Sequence, residues 1–397
     1  MSSTQRYFAP IDFKTRFPAL DGLRALAITM VFARHYGGGA HGGLLLRLFN
    51  DVRTYGWIGV DLFFVLSGFL ITGILYDTQA DSKYFKRFFA RRAFRILPVF
   101  YIVFVILLLL TPIFKYEWRW GHLTFALYLG NIFANFDLSL YGIFSANHPT
   151  ATVSISHFWS LCVEEQFYLL WPLVVWFIRD RIRLIQVAAA LSVVAVALRF
   201  AMLGHFPLEI AAYWSFRNLP FRMDSLLIGA ILALVLRGPN ADRWQRSSKW
   251  FFLLASAGVA AIFMLPGQAA VYWVNAIGLT LLALASAGLI GSTLRSGSPA
   301  FRLFYYKPLR ILGKYSYGFY VYHLLFAKAW LGFLIFLAAK FHSLAIAGLI
   351  ALPFNFAITF IVSKLSYDLI EVRFLRLKRH FEYDSELVEH KHAFTTK

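Results

Sequence analysis

A chain of 397 residues that is 59% hydrophobic, 18% aromatic and only 15% charged is not an ordinary soluble domain, because soluble domains are about a quarter charged. A net charge of +19 could suit a nucleic-acid partner, but the basic residues cluster in alternate gaps between apolar blocks, and that pattern argues against one. The blocks are near twenty residues long, the length that crosses about 30 Å of hydrocarbon as a helix. None shows the short alternation of a membrane β-barrel strand.

In chain order, residues 1–20 read as a polar, basic tail. Apolar spans are expected at 21–37, 56–76, 96–114, 157–178, 184–203, 222–236, 250–264, 271–292, 316–339 and 344–370. The fold class is therefore all-α: a polytopic membrane protein of about ten transmembrane helices. One membrane domain occupies 21–374, and a short charged tail occupies 375–397. With a cytoplasmic N-terminus, the cytoplasmic segments hold 27 of the 39 lysines and arginines. That asymmetry is the positive-inside pattern, and it predicts both termini in the cytoplasm. The block 121–136 is apolar but short. A full span there would turn Arg179–Arg183 and Arg295–Lys314 outward, so a re-entrant or outer-leaflet helix is expected, with eleven spans as the alternative. No cleavable signal peptide is expected, because Arg24, Arg34 and His35 interrupt the first apolar block. The single Cys162 cannot form an intramolecular disulfide, and no Cys/His spacing suits zinc.

The informative residues are polar groups inside these spans, each costing at least ~2.5 kcal/mol on insertion scales. In the first span Arg24 and His35 are eleven residues apart. At ~100° and ~1.5 Å per residue they share one stripe, about 16 Å apart along the axis. The bland alternative is a cytoplasmic flank plus an interfacial histidine. The second span puts Asp61 near the depth of His35, where a carboxylate can orient an imidazole that serves as general base. Its Gly59 and Gly68 suit close helix packing. Ser67 lacks the surroundings of a serine nucleophile.

Next comes KRFFARRAFRILP. Arg92 and Arg95 share a face and can grip phosphate bidentately, although basic residues are also expected at a cytoplasmic border. The fourth span, SHFWSLCVEEQFYLLWPL, aligns His157, Ser160, Glu164, Tyr168 and Trp171 on one stripe, while Glu165 turns toward a neighbouring face. A structural ion pair from Glu164 to Arg34 or Arg199 is the competing explanation. Later spans add Arg222 and Asp224 at an outer end. They also add Tyr315, Tyr317, Tyr320, Tyr322 and His323, expected near an inner end.

Together these blocks resemble the acyltransferase-3 family over roughly 18–374. The carrying pieces are LDGLRALAITMVFARH, GVDLFFVLSGFLIT, RRAFRILPVFY, HFWSLCVEEQFYLLWP, FRMDSLLIGAIL, LGKYSYGFYVYHLL and SYDLIEVRF, in that order. The resemblance implies transfer of an acyl group, expected to be acetyl, from cytoplasmic acyl-CoA (acetyl-CoA) to a hydroxyl of a sugar-containing acceptor. Cell-surface polysaccharides, lipid-linked glycans and glycosylated metabolites are the acceptor classes. Arg24 and His35 fill the family's Arg–His motif, with His35 as base, oriented by Asp61 or Glu164. Arg92 and Arg95 fill its Arg-x-x-Arg motif at the coenzyme, with Arg91 and Tyr322 as further coenzyme-side candidates. His157, Glu165, Asp224 and His323 complete the candidate site, and no metal is implied. Many members carry a C-terminal esterase-like domain, which this chain is expected to lack. Localisation in a bacterial cytoplasmic (inner) membrane is expected. A secondary transporter of a lipid-linked sugar or small molecule is the alternative, although no broken-helix repeat pair supports it.

Overall fold

A computed structural model describes residues 17–36 and 53–383. Most of the expected N-terminal tail, of the outer loop 38–55 and of the C-terminal tail lies outside the described residues. Among those described, every expected span is helical, as hydrocarbon requires of a segment that must satisfy its own backbone groups.

The first three helices are α1 (Pro18–Tyr36), α2 (Ile58–Asp77) and the long α3 (Tyr84–Phe114). Two short helices follow, α4 (His122–Ala126) and α5 (Gly130–Phe133). The chain reverses between them at Tyr128, whose φ is 56°. They account for the short block 121–136, which is far too broken to cross a bilayer. The Gln166 side chain amide donates to Tyr128 O and Asn131 Oδ1, each at 2.8 Å, and this fastens the turn to α6 (Phe158–Phe177). A two-residue hairpin, Gly142–Ile143 against Val153–Ser154, lies between α5 and α6.

The second half runs α7 (Arg181–His205), α8 (Leu208–Arg217), α9 (Leu219–Val235) and α10 (Ala241–Phe263). α11 (Gly267–Trp273) continues through a π-helical turn into α12 (Leu279–Leu294). After α13 (Pro299–Phe304) and α14 (Lys307–Lys314) come α15 (Ser316–Tyr322), α16 (Ala327–Phe341) and α17 (Leu344–Ser366).

Among the described residues, five helices are long and apolar enough to cross a membrane, or seven if two bent pairs each count as one span. This makes the chain an integral membrane protein. α1 and α6 fall outside that count although they have 19 and 20 residues. They carry polar groups that lower their hydropathy: Asp21, Arg24 and Arg34 in one, Glu164, Glu165 and Gln166 in the other.

α2 is the hub. A Cβ at Gly68 would lie 1.8 Å from Leu226 O of α9, and one at Gly229 would lie 2.1 Å from Val65 O of α2. The two backbones therefore touch, as small residues permit in membrane helices. Gly59 does the same for α1, with its Cβ position 2.3 Å from Ala27 O.

One expected span is not continuous. Between α15 and α16 the axis bends by 76°. The carbonyls freed there find partners elsewhere: the Tyr36 hydroxyl donates to His323 O, and Ser154 N donates to Leu325 O at 3.0 Å. The bend is thus a built break with satisfied backbone groups.

Candidate active site

Three cavities line up through the helix bundle. The smallest, of about 130 Å³, lies between α1, α2, α3, α6 and α15 and is lined by Arg24, Arg92, Arg95, Glu164, Glu165 and Tyr168, with Ser67 and Tyr317. The second, of about 760 Å³, is lined by Arg34, His35, His157, Glu209, Tyr213 and Arg217 among others. Val60 and Tyr320 border both. The third, of about 950 Å³, is mainly apolar and meets the second at His35.

The arginine cavity is built on α6. Its stripe faces inward as the three-and-four spacing predicts: Ser160, Glu164 and Tyr168 all line the wall. The Tyr168 hydroxyl donates to Ser67 Oγ at 2.8 Å, and Ser67 donates to Glu164 Oε1 at 2.5 Å. Ser67 is therefore an orienting partner of the carboxylate, a role its surroundings in the sequence did not reveal. Arg92 lies over the Tyr168 ring, 4.1 Å from its centroid. Arg24 is held by Asp21 at 2.5 Å. The competing ion pair to Arg199 does not form, since Arg199 binds Asp224 at 3.0 Å.

At the other end stands a cluster of three imidazoles. His323 Nδ1 lies 2.6 Å from Tyr320 O and donates to it, which leaves Nε2 as an acceptor. That nitrogen is 3.2 Å from His35 Nδ1, which is itself 2.9 Å from Val31 O. The neutral tautomer that satisfies both contacts carries its hydrogen on Nδ1, shared between them. His35 Nε2 then keeps a bare lone pair. His157 and His323 are 3% and 1% exposed, whereas His35 is exposed to the cavity. His157 Nε2 is tied to Val321 O at 3.0 Å. Tyr320, whose hydroxyl donates to His157 O at 2.8 Å, stands between the two polar cavities.

Several expected placements are corrected. His323 belongs beside His35, not at the opposite end of its span, because α15 stops and bends where the imidazoles meet. Asp61 does not orient His35. Its carboxylate accepts from Arg222 at 2.6 Å, and both side chains are fully buried. Asp224 pairs with Arg199 and accepts from Thr280 at 2.5 Å. Neither aspartate is among the described residues that line these three cavities. Arg91 donates to Phe381 O at 3.3 Å and covers the Tyr383 ring, so it clamps the end of the described chain. Tyr322 contacts Ser366 Oγ at 2.8 Å, away from the arginine cavity. Tyr213 lines the histidine cavity, and Trp120 stands free at 88% exposure.

A helical membrane domain whose guanidinium-lined cavity leads to an imidazole defines a class, and the sequence comparison agrees with it. The acyltransferase domain family matches residues 17–365, and the chain belongs to that family, acyltransferase-3. It is similar to the O-acetyltransferase OatA of Staphylococcus aureus, with 30% identity over 321 residues that cover 77% of this chain and 50% of the relative. It is also similar to the putative peptidoglycan O-acetyltransferase YrhL of Bacillus subtilis, at 29% identity over 77% of this chain and 48% of the relative. The peptidoglycan O-acetyltransferase OatA of Listeria monocytogenes is 28% identical over the same shares. The chain thus spans about half the length of the curated relatives it matches. No solved structure matches it.

Proposed function

We propose that this protein transfers an acyl group, acetyl by likeness to its relatives, from cytoplasmic acyl-CoA to a hydroxyl of a carbohydrate-containing acceptor. The observation that carries this reading is the abutment at Tyr320 of an arginine-lined cavity and a histidine-lined one. Arg92 and Arg95, with Arg24, hold the coenzyme's phosphates, where paired guanidiniums act as forked donors. The uncharged pantetheine arm enters the narrow cavity, and its amide N–H groups donate to Glu164 and Glu165. The thioester then reaches Tyr320 and the space beneath His35. The acceptor hydroxyl lies against His35 Nε2, which takes its proton as the oxygen attacks the thioester carbonyl. Collapse of the tetrahedral intermediate breaks the C–S bond. The thiolate leaves with the proton returned from His35, so free coenzyme A and the ester are the products.

The arginine end faces the cytoplasm, in keeping with the positive-inside asymmetry and with where acyl-CoA is made. The membrane is then the bacterial cytoplasmic membrane.

The test is acyl-CoA-dependent ester formation by the purified chain. His35→Ala is expected to lower kcat about 10²–10⁴-fold, with the KM for acyl-CoA little changed. Arg92→Ala raises that KM, and Arg92→Lys restores it only in part. Near-normal turnover by folded His35→Ala removes this reading.

A further inference from the structure

The 950 Å³ cavity has no part in the donor path just described. It shares no lining residue with the arginine cavity and touches the reaction zone only through His35 and Tyr36. Its walls are Trp330, Leu334, Leu349, Leu352 and the hairpin residues Phe144 and Val153. The two helices that form it, α16 and α17, carry apolar side chains on their outer faces too. Ile335 and Phe336 are each 59% exposed and Ile346 is 45% exposed. A wall that is apolar on both sides and belongs to a membrane helix is suited to stand between the cavity and lipid. One cation sits in it: Lys328 lines the cavity and makes no ion pair among the described residues.

We infer that this cavity holds the hydrocarbon chain of the acceptor, and that the acceptor is a saccharide joined through phosphate to a membrane lipid. The inference rests on the transferase reading above and specifies its acceptor. The chain enters sideways from the bilayer between α16, α17 and the 142–154 hairpin, and the phosphate lies within reach of Lys328. The saccharide turns past His35 into the 760 Å³ cavity, among Arg34, Glu209, Tyr213 and Arg217. The lipid thereby delivers a sugar hydroxyl to His35 Nε2 with most of its translational freedom already removed. The acyl tail of the donor is a poor alternative occupant. Arriving past Tyr320, it meets the histidine cavity first and would have to cross His35 to enter the apolar one.

The experiment uses the full chain in nanodiscs and a disaccharide linked through phosphate to an alkyl chain bearing a diazirine. Photolabelling is expected on peptides that carry Trp330, Leu334 and Leu349, and to be displaced by unlabelled disaccharide-phosphate lipid but not by an equal excess of phosphatidylglycerol. Gly348→Phe fills the cavity. Nothing lies within 4 Å of a Cβ at that helical position, so the change does not clash at its base. It is expected to raise the KM for the lipid acceptor about tenfold relative to that for a water-soluble methyl glycoside, a difference of about 1.4 kcal/mol. Gly204→Phe, on a similarly open site in α7, is the control and leaves that ratio alone. Lys328→Gln weakens binding of the phosphate-linked lipid more than of the same lipid with a neutral glycosidic link. Labelling spread over other lipid-facing helices overturns the inference, as does equal displacement by phosphatidylglycerol. An unchanged KM ratio in Gly348→Phe overturns it too. Displaceable labelling in the cavity with no ester formed from either acceptor leaves the lipid site standing and refutes the transferase reading instead.

Discussion

His35 and Asp61 lie on adjacent helices, but Gly56 packs against Arg34 and Gly59 against Ala27, so Asp61 sits well below His35, and the two carry opposite kinds of role. His35 keeps one nitrogen bound to Val31 O and His323 and leaves the other to the cavity. Asp61 is closed off against Arg222, and next to this pair Arg199 and Asp224 form a second one, all four side chains fully buried. Removing one partner of a buried pair leaves an uncompensated charge and costs about 3–5 kcal/mol. Asp61→Asn is therefore expected to lower the melting temperature and the yield of folded protein, while turnover per folded molecule stays close to normal. Thermal unfolding in detergent, combined with active-site titration, checks this. A fully stable but inactive Asp61→Asn would return the aspartate to the catalytic group. Asp61 and Glu164 look alike in sequence, as carboxylates inside apolar spans. Only their partners, Arg222 for one and Ser67 for the other, separate the structural charge from the one that lines the arginine cavity.

Among elements, the break between α15 and α16 matters most. A straight helix from Ser316 onward would carry His323 through the bundle with its carbonyl bonded in the ladder. The bend frees that carbonyl for the Tyr36 hydroxyl and turns the imidazole onto His35. Tyr36 thereby couples the end of α1 to the break. Tyr36→Phe strands a buried carbonyl, at a cost of about 1–3 kcal/mol, and loosens the His323–His35 contact. The expected outcome is a lower kcat with little change in the KM for acyl-CoA, and a lower melting temperature. A normal kcat in this variant would show that the break does not position the base. The α2–α9 crossing is less forgiving. At Gly68 a side chain meets backbone rather than a movable group, so Gly68→Leu is expected to abolish assembly of the folded domain, seen as aggregation on size-exclusion chromatography.

At the scale of the whole molecule, the arginine and histidine ends are about 16 Å apart along α1, from the ~1.5 Å rise per residue between Arg24 and His35. That is roughly half the hydrocarbon thickness of about 30 Å. On the transferase reading proposed above, a donor gripped at the arginines and an acceptor held at His35 are expected to approach from opposite faces, with the acyl group crossing within the protein. In inside-out vesicles, external acyl-CoA is expected to acylate only acceptor trapped in the lumen. Equal modification of acceptor confined to the donor's side would refute this geography.

The helical membrane architecture was legible in composition and block length alone, because hydrocarbon leaves the backbone few other choices. The α6 stripe was legible as well, since helical periodicity makes neighbours of residues three and four apart. The same local rule aligned Arg24 with His35 on one helix. What periodicity cannot supply is which helices touch and where one bends. The pairing of Asp61 with Arg222 depends on the backbone contact at Gly68 and Gly229. The meeting of His35 with His323 depends on a break whose freed carbonyls are satisfied by Tyr36 and Ser154, residues remote in sequence. Arg91 and Tyr322 were drawn toward the coenzyme by their neighbours in the chain, and the fold turned them onto Phe381 and Ser366 instead. Sequence alone determined the polar residues that a membrane helix would not carry without a reason. Tertiary structure decided which of them neutralise one another and which are left facing a cavity, because that choice depends on contacts between segments far apart in the chain.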